Sequence, residues 1–163
     1  MTELPQPAGG SIDGPVHWYA LRVYYEDTDA GGIVYHANYL SWLERARSDM
    51  LEMLGVDQAA SLAAGEGGYT VTEVTIRYRA PARLGDTVHI ETRADKIGRS
   101  SSTLSQSAWC GETKLVDATV RVTFVGPDGR PRRQPDAWQK AFAEFAGGLI
   151  DGNSGKAALE GQE

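Results

Sequence analysis

Cysteine is almost absent from this sequence, since Cys110 is the only one among 163 residues. A single cysteine excludes an internal disulfide, a Cys-x-x-Cys redox pair and a zinc site built from several thiolates. This scarcity is typical of the reducing cytoplasm, which is where we expect the protein to act. The first 14 residues lack the basic start and the apolar run of a secretory signal. No apolar run approaches 18 residues, so we also expect no insertion into a membrane.

Positive charge is also scarce. The chain carries 16 Lys and Arg against 22 Asp and Glu, which gives a net charge of −6. A protein that binds nucleic acid through its phosphates needs a basic face, so we expect no nucleic-acid partner. The three histidines, His17, His36 and His89, show none of the spacings of a common metal site. We therefore predict that the protein binds no metal.

The length of the chain fits one domain with short extensions. Residues 1–14 and 147–163 are rich in Gly, Pro and polar side chains, and we expect both segments to be flexible. Residues 15–146 are left as the folded domain.

One stretch, residues 36–54, repeats apolar side chains every three or four positions and predicts a long amphipathic helix. The repeating residues are Tyr39, Leu43, Ala46, Met50 and Leu54. Gly55 stands where a glycine often ends a helix. Arg45 and Asp49 are four residues apart, so we expect them to pair on the solvent side.

Alternating apolar and polar residues predict five strands, at 16–25, 69–78, 87–97, 101–109 and 114–125, and a short helix follows at 135–145. The element order is therefore β-α-β-β-β-β. An antiparallel sheet with one apolar face must be covered, and the long helix is the element available to cover it. The sequence thus predicts an α+β fold in which the sheet wraps around one central helix. A free sheet edge remains, and pairing in a dimer would remove it.

The strongest candidate for chemistry is the run Glu26-Asp27-Thr28-Asp29, followed by Gly31 and Gly32 and then by the helix. Crowded carboxylates favour a general base or a nucleophile. The unpaired amides of a helix start can polarise a carbonyl oxygen, and glycines let the backbone approach a substrate. A solvated loop in which Asp29 caps a turn fits the same residues. A calcium loop does not fit, because its twelfth position is Asn38.

Two segments make the sequence similar to a known family. RVYYEDTDAGGIVYHANYLSWLERAR (residues 22–47) and YRAPARLGD (residues 78–86) resemble the hotdog-fold acyl-CoA thioesterases of the 4-hydroxybenzoyl-CoA thioesterase family. Within that family, the Tol-Pal-associated, YbgC-like branch is the most similar. The resemblance covers residues 18–145 and implies a hotdog fold.

The resemblance also implies roles for individual residues. Asp29 matches the catalytic carboxylate, as general base or nucleophile, and a backbone amide near His36 matches the carbonyl-polarising group. The His36 and Tyr25 side chains match positions that border the active site. The family binds CoA at a subunit interface, which implies phosphate contacts near Lys96, Arg99 and Ser100.

We therefore expect hydrolysis of an acyl-CoA to a carboxylic acid and free CoA by a homodimer or homotetramer. CoA enters as part of the substrate, and no metal or redox cofactor is expected. Short-to-medium aliphatic or small aromatic acyl groups are expected beside Tyr39, Trp42 or Leu43, and thioesters of acyl carrier protein are a second possible substrate. A non-catalytic module that binds acyl-CoA or acyl carrier protein is the alternative function.

Overall fold

The fold is built on one antiparallel sheet of six strands. The computed structural model describes residues 3–148 and orders the strands β1-β2-β4-β5-β6-β3. Their bounds are β1 (Ser11–Asp13), β2 (Val16–Arg22), β3 (Gly68–Tyr78), β4 (Thr87–Ile97), β5 (Ser101–Cys110) and β6 (Thr113–Val125). Short connections make β4, β5 and β6 a run of hairpins, whereas β3 crosses over to pair with β6 at the edge.

Three helices accompany the sheet: α1 (Asn38–Met53), α2 (Gln58–Ala63) and α3 (Asp136–Ala146). A 3-10 turn, Tyr25–Asp27, lies between β2 and α1. Gly55 has φ of +74°, a left-handed conformation that glycine adopts without strain, and the chain leaves α1 there. Within residues 3–148, no helix combines the length and the apolar character needed to cross a bilayer.

The apolar face of α1 packs on the sheet, as the periodicity predicts. Leu43, Ala46 and Met50 are at most 1% exposed. Along β5, buried residues that face α1 alternate with half-buried residues on the other face, because side chains of a strand point to opposite faces in turn. Burying a side chain such as Leu43 contributes about 2 kcal/mol. The second half of α1 also contacts α3 through Phe142 and Phe145, which are fully buried.

A buried polar network joins α1 to the middle of the sheet. Arg47, only 8% exposed, donates to Gln106 Oε1 over 2.9 Å. The Gln106 amide donates in turn to the Leu43 carbonyl and to Thr92 Oγ1. No ion pair among residues 3–148 includes Arg47. Burial lowers the pKa of Arg47, but the group stays charged at neutral pH.

The edge strand β3 is exposed on most of both faces. A bulge between Val71 and Glu73 breaks the strict alternation that the sequence predicts. Because of the bulge, Val71 and Val74 both line the same groove against α1. The other edge of β3 forms no strand pairing within the described residues.

The structure corrects the N-terminal boundary of the predicted domain. Residues 11–13, assigned to the flexible segment 1–14, form β1, and Ile12 is buried opposite His17. Three residues are too few for periodicity to reveal a strand. Residues 1–2 and 149–163 lie outside the described residues, so flexibility of both ends stays a prediction.

The predicted ion pair between Arg45 and Asp49 is wrong. Asp49 Oδ2 lies 2.7 Å from His17 Nε2 and accepts the Gly10 amide over 2.9 Å. His17 is fully buried, so its ring nitrogen requires a partner more than a solvated arginine does. Asp49 therefore turns inward and fastens the N-terminal segment to α1.

Candidate active site

The loop between β2 and α1 carries most of the predicted site residues. Its two arms meet at the Asp27 carbonyl, which accepts the Tyr35 amide and the Asn38 side-chain amide, each over 2.9 Å. Between these arms, Thr28 and Val34 form a β-bridge. Val34 is buried and donates its amide to the Ala82 carbonyl. The arms of the loop are thus held against the connection between β3 and β4 and against the start of α1.

Asp29 lies at this tip with an exposed carboxylate. Its Oδ1 accepts the Gly31 amide over 2.8 Å, whereas Oδ2 accepts no hydrogen bond from residues 3–148. A Cβ at residue 31 would lie 3.0 Å from Oδ1, so glycine permits the close approach of the carboxylate. Gly32 has φ of +75° and closes the turn. The predicted turn-capping role of Asp29 is therefore present, and one carboxylate oxygen remains available.

The entrance of α1 presents unpaired backbone amides. Neither His36 nor Ala37 donates its amide to an acceptor within the described residues. No acidic side chain occupies the first turn of α1 to compete for them. Amides at a helix start carry partial positive charge, so these two can stabilise negative charge on an oxygen atom. Asp29 and these amides belong to the same anchored loop.

The His36 and Tyr25 side chains are exposed near this loop. The His36 ring lies 4.6 Å from the Tyr35 ring and 6.0 Å from the Tyr78 ring, measured between centroids. Tyr25 is 83% exposed. Neither side chain forms a hydrogen bond to Asp29 in the described part of the chain. Their role in orienting substrate or water stays a prediction.

Lys96, Arg99 and Ser100 lie far from Asp29 in the protomer. Strand β4 begins at Thr87, opposite Arg22 and beside the Asp29 loop, and ends at Ile97. Ten residues of strand separate the two ends by roughly 30 Å. The structure therefore does not bring Lys96, Arg99 or Ser100 together with Asp29 within one copy of the chain.

Other basic residues surround this distant hairpin. Arg121 donates to Ser101 Oγ over 3.3 Å, and the Arg99 carbonyl accepts the Gln134 amide. Gln134 follows directly on Arg132 and Arg133. The hairpin between β4 and β5 is thus part of a wider basic surface. The run RPRR was the sequence signal for it, but the contact with the hairpin depends on the fold.

A groove of about 550 Å³ runs between α1 and β3, and we call it the α1–β3 groove. It is lined by Leu40, Ser41, Leu43, Glu44, Arg45, Arg47, Ser48, Val71, Val74 and Val120. The lining is apolar near Leu40 and polar one to two turns further along α1. Of the three side chains predicted to face the acyl group, Leu43 lines the groove. Tyr39 and Trp42 do not line it; both are buried in the core, as is most of the Leu43 side chain.

Two further observations concern tyrosines and metals. Burial raises the pKa of Tyr39 and of Tyr78.

Residues 3–148 contain no group of three His, Cys, Asp or Glu side chains placed to hold a metal ion. The prediction that no metal is needed rests on the chemistry proposed below.

Known proteins are similar to this chain in sequence and in fold. The family model of the thioesterase superfamily matches residues 31–116. The acyl-CoA thioester hydrolase YbgC of Escherichia coli O6:H1 is 41% identical over 129 residues, covering 78% of this chain and 93% of that protein. A 1,4-dihydroxy-2-naphthoyl-CoA hydrolase of Thermosynechococcus vestitus is 28% identical and covers 81% of this chain and 94% of that protein.

A solved structure agrees with these relatives. The crystal structure of a probable thioesterase from Bartonella henselae superposes with a TM-score of 0.69 at 34% identity. The match covers 74% of this chain and 99% of the other. The predicted α+β sheet around one long helix is confirmed as the hotdog fold. The chain belongs to the thioesterase superfamily.

Proposed function

We propose that this thioesterase hydrolyses acyl-CoA with Asp29 as its catalytic carboxylate and the amides at the entrance of α1 as its carbonyl-polarising groups. Acyl-CoA thioester hydrolysis is the activity that membership of this family and the YbgC relatives support. The observation that carries the residue assignment is that one anchored loop presents both a free carboxylate oxygen and two unpaired amides.

Two routes of thioester hydrolysis fit this arrangement. In the first, Asp29 accepts a proton from water while the water oxygen bonds to the thioester carbon. In the second, Asp29 Oδ2 attacks that carbon itself and forms a mixed anhydride, which water then hydrolyses. In both, the carbonyl oxygen gains negative charge beside the His36 and Ala37 amides. The C–S bond then breaks, and CoA leaves as a thiolate that takes up a proton. These groups perform the reaction without a metal or a redox cofactor.

The Asp29→Asn variant tests the assignment. It keeps the shape of the side chain and removes the charge, so kcat should fall at least about 100-fold. Circular dichroism should show an unchanged fold, because Asp29 is exposed and the asparagine oxygen can still accept the Gly31 amide. Full activity of Asp29→Asn would reject both routes.

Isotope labelling separates the two routes. In a single turnover in ¹⁸O water, label found in Asp29 identifies the anhydride route. If label appears only in the product acid, and quenching with hydroxylamine leaves no hydroxamate on Asp29 itself, water is activated directly.

We propose further that the active site is completed in a homodimer, with a homotetramer as a pair of such dimers. The support is β3, an 11-residue edge strand exposed on both faces. Antiparallel pairing of β3 with its copy would place the Gly68 end of one strand beside the Tyr78 end of the other. The Lys96, Arg99 and Ser100 hairpin of one protomer would then approach the Asp29 loop of its partner. This placement suits contacts to the CoA phosphates.

The acyl group is proposed to enter the α1–β3 groove from the Leu40 end. Short-to-medium aliphatic or small aromatic groups fit an apolar entrance that becomes polar at Glu44, Arg47 and Ser48. The relative that acts on 1,4-dihydroxy-2-naphthoyl-CoA is an example with an aromatic acyl group. Gly31 and Gly32 would lie beside the reacting carbonyl. Acyl carrier protein thioesters should be compared with acyl-CoA in the same assay.

We also propose a cellular location for the enzyme. With a net charge of −6 and one cysteine, the chain fits a cytoplasmic enzyme without a nucleic-acid partner. An association with the Tol-Pal system stays a prediction.

A further inference from the structure

We propose that Tyr78 is a positioning residue for hydrolysis. Its phenol holds the peptide between His36 and Ala37, so that the Ala37 amide at the entrance of α1 points at the substrate carbonyl. This inference rests on the proposed polarising role of that amide.

The contact joins two distant parts of the chain. Tyr78 Oη donates to the His36 carbonyl oxygen over 2.9 Å. The ring of Tyr78 meets the His36 ring edge-on at 6.0 Å and the Tyr39 ring at 5.9 Å. Tyr39 is buried in the core, so its contact with the Tyr78 ring restricts the movement of that ring. Tyr78 is the last residue of β3 and is therefore anchored in the sheet as well.

The helix itself leaves the His36 carbonyl without its usual partner. In a regular α-helix this oxygen would accept the amide of Leu40. Here the Leu40 amide donates to the Ala37 carbonyl, and Tyr78 is the donor to His36 within the described residues. The loop is otherwise held through the Asp27 carbonyl and through the Asn38 amide, which donates to the Tyr35 carbonyl over 3.0 Å. None of these contacts is made by the peptide between His36 and Ala37. Tyr78 supplies that missing restraint.

The hydrogen bond from Tyr78 to the His36 carbonyl also orients the Ala37 amide, because both groups belong to the same planar peptide. In a trans peptide the carbonyl and the following amide point in opposite directions. A donor on the His36 carbonyl therefore fixes the direction of the Ala37 amide. Hydrogen bonds along one peptide also polarise each other, which strengthens the amide as a donor. A tyrosine phenol has a pKa of about 10, and partial burial raises the pKa of Tyr78 further, so the hydroxyl is protonated and able to donate at neutral pH.

The variant Tyr78→Phe tests this role, because it keeps the ring packing and removes the hydroxyl. We expect kcat to fall about 10-fold, because a poorly directed Ala37 amide would lose about one hydrogen bond to the carbonyl oxygen in the transition state. KM for acyl-CoA should change less than about twofold, because ground-state binding keeps its contacts. An unchanged kcat, or a loss confined to KM, would overturn the proposal.

Ser61→Ala is the matched control. Ser61 lies in α2, is buried and donates its hydroxyl to the Gly67 carbonyl over 2.7 Å. This variant also loses one hydrogen bond from a hydroxyl to a backbone carbonyl, so the melting temperature should fall while kcat is retained. A loss of kcat in Ser61→Ala equal to that in Tyr78→Phe would assign both effects to stability and overturn the proposal.

Two inhibitors provide a readout that a purely structural role would not move. A CoA trifluoromethyl ketone presents an oxygen to the amides, whereas a CoA thioether has no such oxygen. Tyr78→Phe should raise the inhibition constant of the ketone about 10-fold and leave that of the thioether unchanged. Equal effects on both inhibitors would overturn the proposal.

Asp29→Asn in the same assay separates the two hypotheses. If Asp29→Asn is inactive and Tyr78→Phe is fully active, the positioning role alone fails. If Asp29→Asn is fully active, the proposed catalytic carboxylate fails, while the ketone comparison still decides the role of Tyr78.

Discussion

At the residue scale, the two glycines after Asp29 have different physical roles. Gly31 provides space, because a Cβ there would lie 3.0 Å from Asp29 Oδ1. Gly32 provides conformation, because its φ is +75° and its missing Cβ would meet no atom within 4 Å. Substitutions at these neighbours should therefore affect different properties of the enzyme.

We expect Gly31→Ala to lower kcat about 10-fold or more, because the methyl group displaces the Asp29 carboxylate and small misplacements of catalytic groups are costly. Its stability should be close to that of the parent, since the backbone at residue 31 is not left-handed. Gly32→Ala should instead reduce the free energy of unfolding by about 1 kcal/mol. Steady-state kinetics and urea unfolding of both variants check this pair. Full activity of Gly31→Ala would contradict the steric argument.

The same residues show what local sequence can and cannot predict. Asp29, Gly31 and Gly32 could be placed at one turn because their contacts with one another span at most three residues. Tyr78 could not be assigned, since its bond to His36 spans 42 residues and depends on where β3 ends. Asp49 was predicted to face solvent because periodicity does not reveal that His17 is buried and needs a partner.

At the element scale, the link between α1 and the sheet depends on a buried charge. Removing Gln106 would leave the Arg47 guanidinium without its described acceptor. We expect Gln106→Leu to reduce the free energy of unfolding by about 3 kcal/mol, because an uncompensated buried charge is costly. The double variant Arg47→Met, Gln106→Leu should recover most of that loss. Urea unfolding measures both.

If the double variant is as unstable as Gln106→Leu, the charge is not the cause of the loss. Glu52→Gln is a suitable control, since this exposed α1 residue forms no ion pair within the described chain.

Elements with several turns or alternations were predictable, and short ones were not. The predicted helix 36–54 exceeds α1 by two residues at its start and one at its end, and the bounds of β4 were correct. The three-residue β1 and the six-residue α2 gave too little pattern to detect. The bulge in β3 was invisible for another reason, since it moves Val74 to the groove face without changing composition.

At the scale of the whole molecule, strand order decides which residues can form one site. Element order does not reveal that β3 pairs with β6 at an edge, nor that the β4–β5 hairpin lies at the end of the sheet opposite Asp29. The sequence therefore grouped Asp29 with Lys96 and Arg99 only through a family resemblance. A shared site for these residues requires a second copy of the chain.

Subunit complementation tests this requirement. We expect Asp29→Asn and the double variant Lys96→Ala, Arg99→Ala each to be impaired alone. When the two are co-expressed, half of the dimers are mixed, and each mixed dimer contains one intact site and one site with both defects. Random pairing should restore about a quarter of the parent activity.

A site contained in one protomer gives a different result, because no mixed dimer would then hold an intact site. Absence of recovery in mixtures that sedimentation shows to be dimeric would contradict the shared site. Ser11→Lys on the opposite sheet edge, at β1, should leave both dimerisation and activity unchanged.

The depth of the α1–β3 groove should set the acyl preference of the whole enzyme. Each methylene buried beside Leu40, Leu43 and Val74 should add about 0.8 kcal/mol, or about fourfold in kcat/KM. The gain should stop where the chain meets Glu44 and Arg47, so we expect a maximum at short-to-medium length. Glu44→Leu should shift this maximum to longer chains. A series of acyl-CoAs assayed by thiol release measures the profile, and a steady rise through palmitoyl-CoA in the parent enzyme would contradict the polar limit.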